Sequence, residues 1–296
     1  MSIRVGVDIG GTFTDVALEH PGGLSTCKVL TDYAAPEAAI LRGIALACEQ
    51  AGVAADAIEQ VIHGTTLVTN ALISRRGAKT AFITTDGFRD VIEMRSENRF
   101  EQYDLNLTLP VPLVPRQDRL VAKERVAATG EVLLDLSDED IDGLVRQVEA
   151  GGYEAVAVGF MHAYANPEHE RRMGAALRAA MPELSVSLSS VVSPQMRELP
   201  RFNTVIANAY VQPQVADYLG RLVARMREAG IAAPVFMLHS GGGLISVETA
   251  IEQPVRLLES GPAGGAIFAA GYARAYGIDK ALSFDMGGDN GQDLSG

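Results

Sequence analysis

The chain has 296 residues, room for roughly two domains at ~150 residues each, and a core of that size closes without disulfides or a structural metal. Hydrophobic residues are 47% and charged residues 21%, which is globular usage and excludes a disordered chain. The 25 Lys and Arg against 37 Asp and Glu leave a formal charge of −12. That balance argues against a nucleic-acid or anionic-membrane binder, whose phosphates need clustered cations, while a local basic pocket for a nucleotide remains allowed. Cys27 and Cys48 are too few and too far apart for a disulfide framework, a zinc knuckle or a redox pair, and are expected as packing residues. No apolar run approaches the ~18 residues of a membrane span. The first residues enter a strand pattern without the apolar core of a signal peptide, so the cytoplasm is the expected location.

Apolar and helical stretches alternate, which predicts an α/β fold. Residues 3–9 and 13–18 read as strands around Gly10-Gly11-Thr12, a hairpin with a glycine tip. A helix over 36–50 places Ile40, Leu41, Ile44 and Cys48 on one face and ends at Gly52. A short strand at 61–63, a helix at 68–73 and a buried strand at 79–84 follow. Asp86-Gly87 marks a turn, and 88–94 a helical turn. Pro110, Pro112 and Pro115 make 95–119 irregular, either a functional loop or an ordered crossover. Residues 121–126 and 132–134 read as a strand pair about Thr129-Gly130. Ser137-x-x-Asp140 is a capping box opening a helix to 149. A buried strand at 155–160, a helix capped by Asn166-Pro167 through 181, and a short strand at 185–189 come next. Residues 201–210 and 214–229 are expected as helices broken at Pro213. A strand at 235–238 runs into Ser240-Gly241-Gly242-Gly243, and Gly261-Pro262-Ala263-Gly264-Gly265 opens a small-residue helix to 276. A last strand at 281–284 ends in Asp285-Met286-Gly287-Gly288. A soft domain boundary is expected near 185–200.

The two ends of the chain echo each other. Val5-Gly6-Val7-Asp8-Ile9-Gly10-Gly11 and Leu282-Ser283-Phe284-Asp285-Met286-Gly287-Gly288 each read as a strand, an aspartate, one apolar residue and two glycines. Paired glycines let backbone N–H groups approach phosphate oxygens, since no Cβ stands in the way. A carboxylate at the strand end can hold Mg²⁺, usually through waters, beside those phosphates. Thr12 and Thr14 can add hydroxyl donors. Two such loops facing one another would grip a polyphosphate from both sides.

Asp8-Ile9-Gly10-Gly11-Thr12-Phe13-Thr14-Asp15 resembles the first phosphate loop of the actin-like ATPase superfamily, and more narrowly that of the hydantoinase A/5-oxoprolinase family. The resemblance extends to His63-Gly64-Thr65-Thr66-x-x-Thr69-Asn70-Ala71, Thr85-x-Gly87-Phe88-Arg89-Asp90 and Tyr103-Asp104-Leu105. It continues through Ser193-Pro194, Asn208-Ala209-Tyr210-Val211-Gln212-Pro213 and Ser260-Gly261-Pro262-Ala263-Gly264-Gly265. It implies an actin-like (ribonuclease H-like) α/β fold of mixed sheets flanked by helices, incomplete at its C-terminus. Residues 1–190 would be the N-terminal hydantoinase/oxoprolinase domain, and 191–296 the beginning of a truncated hydantoinase A catalytic domain. The implied chemistry is ATP-dependent opening of a cyclic amide such as a hydantoin or 5-oxoproline. Phosphorylation of the amide oxygen makes it a leaving group, and a B-type partner subunit then hydrolyses the activated species. The cofactors implied are ATP and Mg²⁺. Asp8 and Asp285 would be catalytic and metal-binding, and Gly10, Gly11, Thr12, Thr14, Gly287 and Gly288 would bind the cofactor. His63, Thr65, Thr66 and Arg89 are the candidate substrate contacts. The family usually places Thr after the second Asp-x-Gly-Gly, whereas Asp289 stands here, a negative charge where a phosphate should sit.

Alternatives stay open at this level. His63 can touch substrate or metal, or can hydrogen-bond a turn. Arg89, Arg95 and Arg99 can fork a carboxylate or lie solvated. His162 and His169 are expected to be structural, and the helix at 261–265 can serve as a tight crossing or, as in the superfamily, a hinge element. The competing functions are a small-molecule kinase of the same superfamily and a nucleotide-binding or inactive truncated subunit.

Overall fold

The structure is a computed structural model that describes residues 2–32, 35–96, 101 and 103–284. The chain folds as two units, one joining the residues up to Asn70 with those from Val215 onward, the other being Ala71–Gln214.

In the first unit, alternation sets the sheet. β1 (Arg4–Ile9) buries Val5, Val7 and Ile9 and turns Arg4, Gly6 and Asp8 to the opposite face. β2 (Phe13–His20) pairs antiparallel with β1, as the glycine-tipped hairpin predicts, and β3 (Gly23–Leu30) extends the meander. α1 (Pro36–Ala51) carries proline in its first turn and ends at Gly52 in the left-handed region, φ 63°. Its buried Ala39, Ile40, Ile44, Ala47 and Cys48 cover β2 and β3. A Cβ on Gly43 would lie 2.6 Å from Val16 Cγ2, so glycine lets this helix close on the sheet. β4 (Gln60–Thr65) runs parallel beside β1, and α2 (Leu67–Ile73) follows it.

The second unit holds β5 (Thr80–Thr85), α3 (Val91–Met94), β6 (Arg119–Ala122), β7 (Arg125–Val126), β8 (Val132–Leu134), α4 (Asp138–Gly151), β9 (Ala155–Gly159), α5 (Glu168–Ala180), β10 (Ser185–Leu188) and α6 (Ser189–Val192). The strands β10-β9-β5-β6 form an all-parallel sheet. β5 and β9 are buried along their whole length, as parallel strands covered on both faces must be. One face packs Ala81, Ile83, Val156 and Val158 against Leu144, Val148, Met173 and Leu177 of α4 and α5. The other packs Phe82, Ala155 and Ala157 against Phe202, Val205, Ile206 and Ala209. Ser137 caps α4 by accepting from the Asp140 N–H at 3.1 Å, as the capping box predicts. The strand expected at 121–126 is divided. β6 joins β5, while β7 pairs with β8, because Glu124 turns inward between them to Thr85 and His169.

α7 (Glu198–Glu228) is shared between the units, and Pro213 lies inside it. The expected break is absent, since buried Tyr210 and Val211 before the proline and Val215 and Leu219 after it hold both turns in place. The first unit resumes with β11 (Val235–Leu238), β12 (Leu244–Ser246), α8 (Val247–Glu252) and α9 (Ser260–Ala275). Its sheet order is β12-β11-β4-β1-β2-β3. The strand expected at 281–284 does not form, and Leu282 and Phe284 there are exposed. No helix among the described residues is long and apolar enough to cross a membrane.

Candidate functional site

The site builds from the C-terminal end of β1. The turn after it is tight, with the Gly10 N–H donating to Phe13 O at 2.9 Å. A Cβ on Gly10 would lie 3.1 Å from that same oxygen. Thr31, which no local signal marks, ties the loop from the far end of β3. Its hydroxyl donates to Gly10 O at 3.0 Å, and its N–H donates to Thr12 O at 3.0 Å. Thr12 is exposed at the tip. Thr14 is fully buried, and its hydroxyl shares a 3.0 Å hydrogen bond with that of Thr31. It therefore braces the loop and does not face the space open to a phosphate. The cause is register: Thr14 pairs with Ile9 on the core side, while Asp8 pairs with Asp15 on the open side.

Asp8 is exposed, and its neighbour across β4 is Gly64. A Cβ on Gly64 would lie 3.0 Å from Asp8 Oδ1, so glycine makes the space the carboxylate occupies. Asp8 lines a cavity of about 900 Å³ on this face of the sheet, in the size range of ligand pockets. Asp15, Lys28 and Gly64 share that lining with Gly261, Gly264 and Gly265 of α9. The small residues of α9 allow close approach, for a Cβ on Gly264 would lie 2.9 Å from Leu238 Cδ2. Ser260, the first residue of α9, donates its hydroxyl to Thr65 O at 3.2 Å. The Gly261–Gly265 segment thus joins Asp8 around one cavity, a role that needs non-local contacts to see.

His63 lies on the other face. It is fully buried, with Nε2 at 2.7 Å from the Tyr218 hydroxyl and Nδ1 at 3.4 Å from Val7 O. The Val7 carbonyl can only accept, so Nδ1 donates to it and Nε2 accepts from the tyrosine. Burial pushes the His63 pKa down to about 4, partly offset by the Val7 carbonyl, so the ring is neutral. Burial and the nearby Glu37 charge raise the Tyr218 pKa. Of the two roles open to His63, the contacts are those of a hydrogen-bonded core residue. Thr65 is buried, and its hydroxyl accepts from the Leu67 N–H at 3.2 Å at the start of α2. Thr66 is half-buried and accepts from Asn70 Nδ2 at 3.3 Å.

Arg89 belongs to the second unit, in the turn before α3. The neighbouring Asp90 carboxyl is held below the usual carboxylate range, first by its hydrogen bond with the Arg116 fork and less by the charge of Arg89. His169, in the same unit, spans two carboxylates, with Nδ1 at 2.7 Å from Glu124 and Nε2 at 3.0 Å from Asp135. His162 donates from Nδ1 to Val126 O at 2.8 Å. His162 thus holds β7, and His169 ties Glu124, just before β7, to Asp135, just after β8, the structural role expected of both. Asp285, Gly287, Gly288, Asp289 and Arg99 lie outside the described residues.

Among the described residues, no group of three His, Cys, Asp or Glu is placed to hold a metal alone. A cation at Asp8 would therefore draw its remaining ligands from water and phosphate, which is how Mg²⁺ is usually bound beside a nucleotide. The exposed carboxylate, the glycine-made space beside it and the pinned glycine turn fit one half of a Mg²⁺–polyphosphate site.

Most of the chain matches known protein families. Residues 4–181 match the hydantoinase/oxoprolinase N-terminal region, and residues 201–289 match hydantoinase/oxoprolinase. The chain is 33% identical to caprolactamase subunit alpha of Pseudomonas jessenii, covering 96% of this chain and 42% of that protein. It is 31% identical to 5-oxoprolinase of Saccharomyces cerevisiae, over 97% of this chain and 25% of that protein. The crystal structure of the ATP-dependent caprolactamase from Pseudomonas jessenii superposes with a TM-score of 0.87 at 32% identity, over 96% of this chain and 42% of that one. Nucleotide-free acetone carboxylase superposes with a TM-score of 0.83 at 24% identity, over 93% of this chain and 41% of that one, a likeness of fold. The chain thus spans between a quarter and under half of these relatives. The fold is the mixed α/β arrangement of the actin-like ATPase type. On the match of both its segments, the chain belongs to the hydantoinase/oxoprolinase family.

Proposed function

We propose that this chain is the nucleotide-binding part of an ATP-dependent enzyme that opens a cyclic amide of the hydantoin, 5-oxoproline or lactam type. The observation that carries the reading is the exposed Asp8 carboxylate at the rim of the glycine turn, facing the cavity that Gly64 and the start of α9 also line. Membership of a family whose members include a protein named 5-oxoprolinase and one named caprolactamase supports it.

An amide carbonyl is a poor electrophile, and ATP, when bound, supplies the phosphoryl group that makes its oxygen a leaving group. The chain's own residues do what proteins do in phosphoryl transfer, which is to position and to balance charge. Asp8 would hold Mg²⁺, whose charge would offset that of the phosphates. Gly10 and Gly11 let the turn's backbone come close to phosphate oxygens, and the exposed Thr12 hydroxyl is a further donor. Thr14 and Thr31 keep the turn in shape. Asp285, Gly287 and Gly288 are assigned the matching half of the grip. His63, closed in the core against Tyr218, is given no part in this reading. A B-type subunit would hydrolyse the activated amide.

The test is Mg²⁺-dependent ATP binding by calorimetry on the chain and on Asp8→Asn. The expected result is binding that Asp8→Asn weakens by about tenfold or more, the order of a lost charge-assisted contact. ADP release with 5-oxoproline or caprolactam, with and without a B-type subunit, then identifies the substrate. Absence of Mg·ATP binding by the unaltered chain would refute the reading.

A further inference from the structure

One row of residues crosses the open face of the first unit's sheet in strict register. Gly64 on β4 pairs with Asp8 on β1, Asp8 with Asp15 on β2, and Asp15 with Lys28 on β3. Side chains opposed in this way on one face stand about 5 Å apart, and like charges so placed repel. Asp8 and Asp15 are such a pair. Lys28 answers Asp15 from the far side, its Nζ 2.9 Å from Oδ1 and 3.1 Å from Oδ2. The ammonium also lies 5.1 Å from the centre of the Phe13 ring, which favours a cation there. Asp8, Asp15 and Lys28 all line the same cavity.

We propose that Asp15 and Lys28 are positioning residues that set the charge felt by a divalent cation at Asp8, Asp15 strengthening the attraction and Lys28, paired with Asp15, opposing it. The inference rests on the reading of Asp8 as the Mg²⁺–nucleotide carboxylate and adds the residues that regulate it. Exposed ion pairs contribute little to folding, and Lys28 and Asp15 are about half exposed, so their effect falls on cation affinity. A unit charge about 5 Å from a dication, as Asp15 is one strand from Asp8, changes affinity roughly three- to tenfold in a water-like dielectric with physiological salt, and one about 10 Å away, as Lys28 is two strands off, changes it by up to about twofold.

The experiment is the Mg²⁺ dependence of ATP binding at fixed ATP, measured calorimetrically on the full chain and on Lys28→Met, Asp15→Asn, the double variant and Lys28→Arg. Asp15→Asn should raise the half-saturating Mg²⁺ concentration roughly three- to tenfold, and Lys28→Met should lower it by up to about twofold. The double variant should fall between Asp15→Asn and the unaltered chain, the two charge effects adding, and Lys28→Arg should behave as the unaltered chain. Weaker ATP binding on Lys28→Met in both backgrounds would make Lys28 a direct phosphate ligand and overturn the proposal. So would unchanged Mg²⁺ dependence in the single variants of a chain that binds Mg·ATP, leaving the functional reading intact. Failure of the unaltered chain to bind Mg·ATP would overturn both.

Discussion

Gly64→Ala separates folding from function at the site. The backbone at 64 is strand, which alanine adopts freely, so all the cost comes from the added methyl. That methyl would meet Asp8 Oδ1 at 3.0 Å, with Asp8 Cγ and Val7 O next at 3.8 Å. The only crowded atom is the end of a side chain that can swing toward the open cavity. The stability loss should therefore stay below about 1.5 kcal/mol, the range of mild overpacking. The carboxylate, however, must move by a few tenths of an ångström or change rotamer. A carboxylate displaced in this way loses part of its charge-assisted contact with the hydrated cation, worth about 1 kcal/mol, so Mg·ATP affinity should fall roughly fivefold. Denaturant unfolding gives the first quantity and calorimetric titration the second. In an Asp8→Asn background the same methyl should change nucleotide affinity little, since the charge it displaces is already gone. A Gly64→Ala protein that binds Mg·ATP as tightly as the unaltered chain would refute the reasoning, because the space beside Asp8 would then have no bearing on the nucleotide.

Two stability predictions accompany it. His63 has a folded pKa of about 4 against an ordinary 6.5. The unfolded chain therefore takes up a proton first, and stability that is complete above pH 6.5 drains away as pH falls toward 4, by about 3 kcal/mol over that window; unfolding of a His63→Gln variant across the same range should show a flatter slope. Phe202→Ala empties a fully buried site against Phe82, whose ring centre lies 5.1 Å away, and should cost about 3–5 kcal/mol in denaturant unfolding.

Legibility in the sequence followed locality. The first hairpin, α1 and the capped α4 were predictable because alternation, helical spacing and a Ser cap are signals within a few residues. β3 escapes such signals because it is an edge strand with little to bury: Leu24 and Leu30 are exposed, and Lys28 faces the cavity. Pro213 suggested a break that its buried neighbours override, a tertiary effect no local rule contains. Near the proposed site, the motif correctly places Asp8 and the glycine turn at the end of β1. The inward turn of Thr14 followed from pairing with Ile9, and the enclosure of His63 from Tyr218, 155 residues away in the chain. Neither partner is visible in the motif itself.

The discontinuity of the first unit has a consequence for how the protein is made. Its amino-terminal strands are synthesised first, yet β11, which covers the open edge of β4, follows only after all of Ala71–Gln214. At translation rates of about 5–20 residues per second, the intervening stretch alone imposes a delay on the order of ten seconds. Through that interval Val61 and Ile62 border an unpaired strand, the kind of edge on which nascent chains aggregate. The inserted unit is one contiguous stretch and can close first, so strands made before it are completed only after it, and it is there that a chaperone at the ribosome would have most to protect.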